Sequence, residues 1–230
     1  KTSIEGILNG STNFILSKLF NENLSLNESF QTARSLGYLE ADPTDDLSGK
    51  DALRKITILS RIAYQANIEE SNRNCVGIDN LSFDFINVIK KKNLSIKLVA
   101  TSSYQKDGLF IGVFPKIMKK DSLLATIHDD KNIVRVKGRF HKGSFFVGSG
   151  AGSYPTATAV VYDLLTIKQS KCFDEIVLKE KYMNQKLRFN VFVQTKDSFF
   201  VLHQKTIEEV KSSNDVVCFA VIDEDCYETL

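Results

Sequence analysis

Leu36-Gly37-Tyr38-Leu39-Glu40-Ala41-Asp42-Pro43-Thr44-Asp45-Asp46-Leu47-Ser48-Gly49-Lys50-Asp51-Ala52-Leu53-Arg54-Lys55 is the most informative stretch of the chain. It places five carboxylates within the twelve residues 40–51 and ends on a lysine. Such a cluster repels itself, so a fold keeps it where cations, a bound amine or a metal offset the repulsion. Complementing a helix dipole accounts for one or two of these carboxylates, with Asp45 or Asp46 near the cap, and leaves a surplus. A site for a substrate ammonium is a natural use of that surplus. Divalent metal is the other, although the spacing is not that of an EF-hand loop.

The same stretch organises its surroundings. Gly37 predicts the end of a helix over 27–36, at the C′ position. Beyond the acidic loop, Ala52, Ile56, Leu59, Ile62 and Ala63 recur at three-to-four spacing, which predicts a long helix from 47 or 48 to 66. On that helix Asp51 and Lys55 are four apart and share one face. An i,i+4 ion pair explains them simply. The sharper reading turns the lysine into the acidic pocket, where it exchanges a proton with a substrate oxygen.

Further out, Ser11 or Thr12 is a candidate cap for a helix carrying Phe14, Ile15, Leu16, Leu19 and Phe20. Val76-Gly77-Ile78 reads as a short strand, and 83–92 as a helix. Residues 97–103, 109–117, 133–140 and 144–147 read as strands bounded by turn residues. Gly148-Ser149-Gly150-Ala151-Gly152 leads into a helix over 154–168. This turn lacks dinucleotide GxGxxG spacing, and no clear strand precedes Asp174 and Glu175, where a ribose-binding acid would sit. The tail over 187–230 reads β-α-β, with its helix around 198–211. A helical front followed by a β-rich middle predicts an α+β fold, a mixed β-sheet covered by helices on one face.

The 230 residues are 43% hydrophobic and 25% charged, enough for a sizeable core. A net charge of +2 makes no demand for nucleic acid or a membrane surface. No segment reaches the length of a membrane span. Cys75, Cys172, Cys218 and Cys226 show no CxxC spacing and read as free thiols in a reducing compartment. His128, His141 and His203 show no ligand spacing, so no metal site is expected. The first residue is lysine, and the sequence reads as a piece of something longer.

Three segments, in this order and spacing, resemble the homoserine dehydrogenase family. They are Ile4-Glu5-Gly6-Ile7-Leu8-Asn9-Gly10-Ser11-Thr12-Asn13-Phe14-Ile15-Leu16, residues 36–55, and Gly148-Ser149-Gly150-Ala151-Gly152-Ser153-Tyr154-Pro155-Thr156-Ala157-Thr158-Ala159-Val160-Val161-Tyr162-Asp163. The resemblance covers about 2–168. It implies a substrate-binding and dimerisation domain over 1–170 of a cytoplasmic homodimer acting on a small amino-acid substrate. The family interconverts L-homoserine and L-aspartate 4-semialdehyde with NAD(P)H, on the route to threonine, isoleucine and methionine. By position, Lys55 matches the proton donor and Asp51 the residue that supports it. Glu40 and Asp46 match residues at the substrate's amino end. Tyr38, Gly10 and Ser11 match the rest of that pocket, Ser11 replacing the usual threonine. Gly152 matches a glycine near the nicotinamide. The reading requires Glu40, Asp46 and Asp51 to converge on Lys55.

The family's N-terminal Rossmann domain, with a first catalytic lysine, has no match in this sequence. NAD(P)H would therefore be held mainly outside it, and the isolated chain is expected to be inactive. The helix over 154–168, which packs on that domain in the family, is expected to be uncovered. The Leu-Ser-Gly-Lys-Asp stretch looks most like the forms fused to aspartokinase. The extension over 171–230 is similar to part of an ACT-type regulatory module, with a plain extension as the alternative. Two rival classes stay open: a non-catalytic amino-acid-sensing module that retains the fold, and an acidic metal-binding protein.

Overall fold

The computed structural model describes residues 2–22, 24–68, 74–105, 108–140, 143–169, 179–181 and 186–230. Cys172, His141, Asp174 and Glu175 lie outside the described residues. In chain order the elements are β1 (Thr2–Ile7), α1 (Gly10–Asn21), α2 (Leu26–Ser35), α3 (Thr44–Leu47), α4 (Lys50–Tyr64), β2 (Ala66–Asn67) and α5 (Phe83–Lys91). Then come β3 (Leu94–Gln105), β4 (Gly108–Lys119), β5 (Lys131–Lys137), β6 (Ser144–Ser149) and α6 (Ser153–Lys168). The last are β7 (Lys179–Lys181), β8 (Phe189–Gln194), β9 (Phe199–Lys205), α7 (Ile207–Lys211) and β10 (Cys218–Ile222).

Eight strands form one sheet in the order β6-β5-β1-β3-β4-β10-β8-β9. Within this sheet β4 and β10 pair in parallel and the other neighbours antiparallel, while β2 and β7 form a separate parallel pair. The fold is therefore α+β with a mixed sheet, as the sequence predicts. β1, which sequence reading leaves unassigned, lies between β3 and β5. Gly6 lets those strands approach, since a Cβ there would sit 2.3 Å from the Ile133 carbonyl oxygen.

The main core packs α1, α4 and α5 on the sheet through residues such as Ile15, Leu16, Ile56, Phe85 and Ile89. The helical cover extends beyond one face. Phe110 and Phe114 of β4 point opposite to Val113 and Ile117 and join Val191, Val193, Phe219 and Val221 in a second cluster. Ile207 and Val210 of α7 close it. Strands apolar on both faces need cover on both.

Several boundaries differ from the sequence reading. Residues 75–78 form no strand; Cys75 makes a single bridge to Val113. The tail is β-β-α-β, because 199–205 pair with β8 as an edge strand instead of extending the helix. Residues 195–198 join β8 to β9 as a polar hairpin, with the Thr195 N–H donating to the Ser198 carbonyl at 2.9 Å. The long helix breaks in two at Ser48-Gly49. Gly49 takes φ +83°, a left-handed conformation suited to glycine, and separates α3 from α4. Within α4 the buried face is Ala52, Leu53, Ile56, Thr57 and Ser60, whereas Ile62 and Ala63 face outward. Thr57 and Ser60 are tolerated inside because their hydroxyls donate to Leu53 and Ile56 carbonyls at 2.8 and 2.6 Å.

The tail is pinned to the body by charge. Lys116 on β4 reaches Glu5 at 2.8 Å and Asp223, just beyond β10, at 3.3 Å. Burial pushes this ammonium's pKa down, yet the two carboxylates outweigh it and hold the lysine above its ordinary value.

Candidate functional site

The break at Gly49 builds the site. α3 carries Asp45 and Asp46, α4 carries Asp51 and Lys55, and the elbow between them brings Asp46 and Asp51 to one amide, that of Asn9. Asn9, not Ser11 or Thr12, caps α1: its Oδ1 accepts from the Thr12 N–H at 2.8 Å. Its Nδ2 donates to Asp46 Oδ1 at 2.7 Å and to Asp51 Oδ2 at 2.8 Å. One asparagine thus satisfies a helix end and relieves two facing carboxylates.

Lys55 turns toward this cluster. Its Nζ donates to Asp51 Oδ2 at 2.7 Å and to the Leu8 carbonyl at 3.1 Å. The ammonium has three N–H groups, and the third has no partner among the described residues. The pair stays open to a ligand: the Lys55 side chain is 46% exposed and Asp51 28%. Asp46 Oδ2 and Asp51 Oδ1 likewise have no donor among the described residues. One cationic donor and two carboxylates are therefore gathered in a single hydrogen-bonded cluster with bonding capacity to spare.

The sequence-derived site residues fall into two groups. Asp46, Asp51 and Lys55 come together, with Gly10 and Ser11 opening the helix that Asn9 caps. Gly10 fits closely; a Cβ there would lie 3.1 Å from the Asp130 carbonyl oxygen. Tyr38 is half-buried and packs on Phe14, ring centroids 4.7 Å apart. Convergence on Lys55 is narrower than expected. Asp51 bonds it directly, Asp46 reaches it through Asn9, and Glu40 is exposed with no hydrogen bond to either. Asp45 pairs with Arg54, and Asp42 caps its own turn through Thr44, which lowers its pKa.

The glycine turn over 148–152 is exposed and precedes α6 directly. Gly152 has φ +108°, a conformation that side chains disfavour, so the bare backbone is required there. The turn itself carries no charged side chain. Among the described residues no helix is long and apolar enough to cross a membrane, and no three His, Cys, Asp or Glu gather as metal ligands.

Asn9 is the residue that sequence reasoning missed. Its signal was its place one residue before the glycine of the Asn-Gly-Ser-Thr-Asn run. The isosteric Asn9→Asp keeps the cap but sets a third carboxylate against Asp46 and Asp51. We expect it to cost about 2 kcal/mol in urea unfolding at neutral pH. A loss no greater at neutral than at acid pH would show that the bridge is not electrostatic.

The homoserine dehydrogenase family model matches residues 2–165. Homoserine dehydrogenase of Bacillus subtilis (strain 168) is 35% identical over 169 residues, covering 74% of this chain and 39% of the relative. The chain thus spans about two fifths of the length of that relative. A crystal structure of Staphylococcus aureus homoserine dehydrogenase at pH 6.0 superposes with a TM-score of 0.75 at 28% identity. It covers 96% of this chain and 65% of that one, so the C-terminal strands beyond the family match have counterparts there. A hyperthermophilic archaeal homoserine dehydrogenase mutant in complex with NADPH gives a TM-score of 0.58 at 28% identity, covering 73% of this chain and 47% of that one.

Proposed function

This chain belongs to the homoserine dehydrogenase family, and we propose that it is the substrate-binding half of an NAD(P)-dependent oxidoreductase interconverting L-homoserine and L-aspartate 4-semialdehyde. The observation that carries this reading is the Lys55 ammonium, held by Asp51 and the Leu8 carbonyl with one N–H to spare. When bound, NAD(P)H supplies a hydride to the aldehyde carbon. The carbonyl oxygen then gains negative charge, and Lys55, oriented by its bond to Asp51, hands it a proton. In the reverse direction Lys55 takes the hydroxyl proton. Asp46, with Glu40 from the loop before it, binds the substrate ammonium, and Tyr38, Gly10 and Ser11 complete the pocket. Gly152 lies toward the nicotinamide, and most of the cofactor is held by residues outside this chain.

The same reading assigns residues 1–170 to substrate binding and dimerisation and 171–230 to an extension that completes the sheet. α6 buries none of its residues, Tyr162 being 68% exposed, and edge strand β6 is exposed throughout, with Phe146 at 62%. An apolar helix and an apolar edge of this kind call for a partner. A second copy and the nucleotide-binding part of the protein are the proposed occupants, in a cytoplasmic homodimer on the route to threonine, isoleucine and methionine.

The test is homoserine-dependent reduction of NAD or NADP by the whole protein. Turnover that saturates in homoserine is expected. Absence of turnover with both cofactors, together with threonine binding at the tail, would instead favour an amino-acid sensor.

A further inference from the structure

Lys97 on β3 is 2% exposed, the most deeply buried charge in the described structure. Its ammonium meets three acceptors: Ile127 carbonyl at 2.7 Å, Asn13 Oδ1 at 2.8 Å and Ser17 Oγ at 3.3 Å. That matches its three N–H groups. Burial still pushes its pKa down to about 7, against the pull of Asp129. A buried ammonium costs several kcal/mol before its partners repay it, and an apolar side chain would fill the space more cheaply. The charge therefore calls for a reason beyond stability.

Its partners supply one. Asn13 and Ser17 belong to α1, and Ile127 opens the segment that leads into β5. The two N–H groups of the Asn13 amide are shared among three carbonyls of that segment, Ile127 at 3.2 Å, Asp129 at 3.1 Å and Lys131 at 3.0 Å. The Asp129 N–H adds a bond to Ser17 Oγ at 3.3 Å. Lys97 and Asn13 thus clamp residues 127–131 onto α1.

Both ends of the clamp reach the candidate site. Asn13 lies one turn beyond Asn9, its N–H bonded to the Asn9 carbonyl at 3.2 Å, and Asn9 holds Asp46 and Asp51. The clamped segment presses the Asp130 carbonyl against Gly10. It continues into Asn132, whose amide nitrogen lies 1.9 Å from where a Cβ on Gly150 would be. Asn132 pairs with Gly148 in the ladder.

We propose that Lys97 is a positioning residue: by clamping residues 127–131 to α1 it fixes the Asn9–Asp46–Asp51–Lys55 cluster relative to the glycine turn over 148–152. Lys97 touches neither substrate nor cofactor. The kinetic part of this proposal rests on the dehydrogenase reading; the structural part does not.

The test uses the whole protein and Lys97→Met. Displacing reacting groups by about 1 Å costs on the order of 100-fold, so kcat/KM for homoserine should fall by about that factor well below the melting temperature. Hydrogen exchange should speed up at residues 10–13, 127–132 and 148–150, with the α5 amides unchanged. Unaltered kcat and KM in the folded variant would overturn the proposal, even if its melting temperature drops. Should Lys97→Met fail to fold, Ser17→Ala removes one acceptor and should lower kcat/KM by roughly 3–10-fold; no change there also overturns it. If the wild-type protein does not oxidise homoserine, the functional reading fails, while local exchange still decides whether Lys97 clamps the two walls.

Discussion

Replacing Lys55 by alanine in the whole protein is expected to lower kcat for homoserine oxidation by about 10²–10⁴-fold, the usual worth of a positioned general acid–base group. KM should move only a few-fold, because the proton is in flight in the transition state and not in the bound ground state. Lys55→Arg separates chemistry from charge. Arginine restores a cation beside Asp51, whose present partner lies at 2.7 Å, but a guanidinium does not release its proton in a protein. Its kcat should therefore stay near that of the alanine variant. Full rescue by arginine would reduce Lys55 to an electrostatic partner. A change confined to KM in both variants would make it a binding residue.

The second large effect concerns the support beneath the elbow. The Ile78 N–H donates to the Leu47 carbonyl at 2.8 Å, and the Val76 N–H to the Val113 carbonyl at 2.8 Å. Residues 75–78 thereby fasten the α3–α4 junction to β4. Gly77 sits against it: a Cβ there would lie 1.9 Å from the Leu47 carbonyl oxygen and 2.5 Å from Ser48 Cα. These are backbone atoms, and no rotamer change relieves them. Gly77→Ala is expected to cost about 3 kcal/mol. For a domain of this size that lowers Tm by roughly 10 °C. Because Asp46 and Asp51 flank the junction, kcat/KM should fall in whatever folds. Gly148→Ala is the control for stability, since nothing lies within 4 Å of its Cβ position and its φ is not positive. Equal melting temperatures for the two variants would refute the packing argument.

Local signals made much of this chain legible. Gly37 ends α2 as expected, at φ +76° with the Tyr38 N–H bonded back to the Ala33 carbonyl at 2.9 Å. Helix α5 and strands β3 to β6 fall where apolar periodicity and turn residues put them, within a few residues. β1 was missed because Ile4-Glu5-Gly6-Ile7 is short and carries a glycine; it is a strand because β3 and β5 flank it. Residues 199–205 became a strand for the same kind of reason, by pairing with β8. In both places a long-range ladder overrode weak local preference.

The site divides along the same line. Sequence by itself determined the family, the surplus of carboxylates and the i,i+4 pairing of Asp51 with Lys55, since each depends on residue order or on one turn of helix. Only the tertiary structure decided which acids come together. Asp46 and Asp51 meet Asn9 across separations of 37 and 42 residues, while Glu40 and Asp42 remain in solvent. It alone buried Lys97, 84 residues from Asn13 in the chain. Contacts of that span are fixed by how helices and sheet pack together, and no local pattern of residue types encodes them.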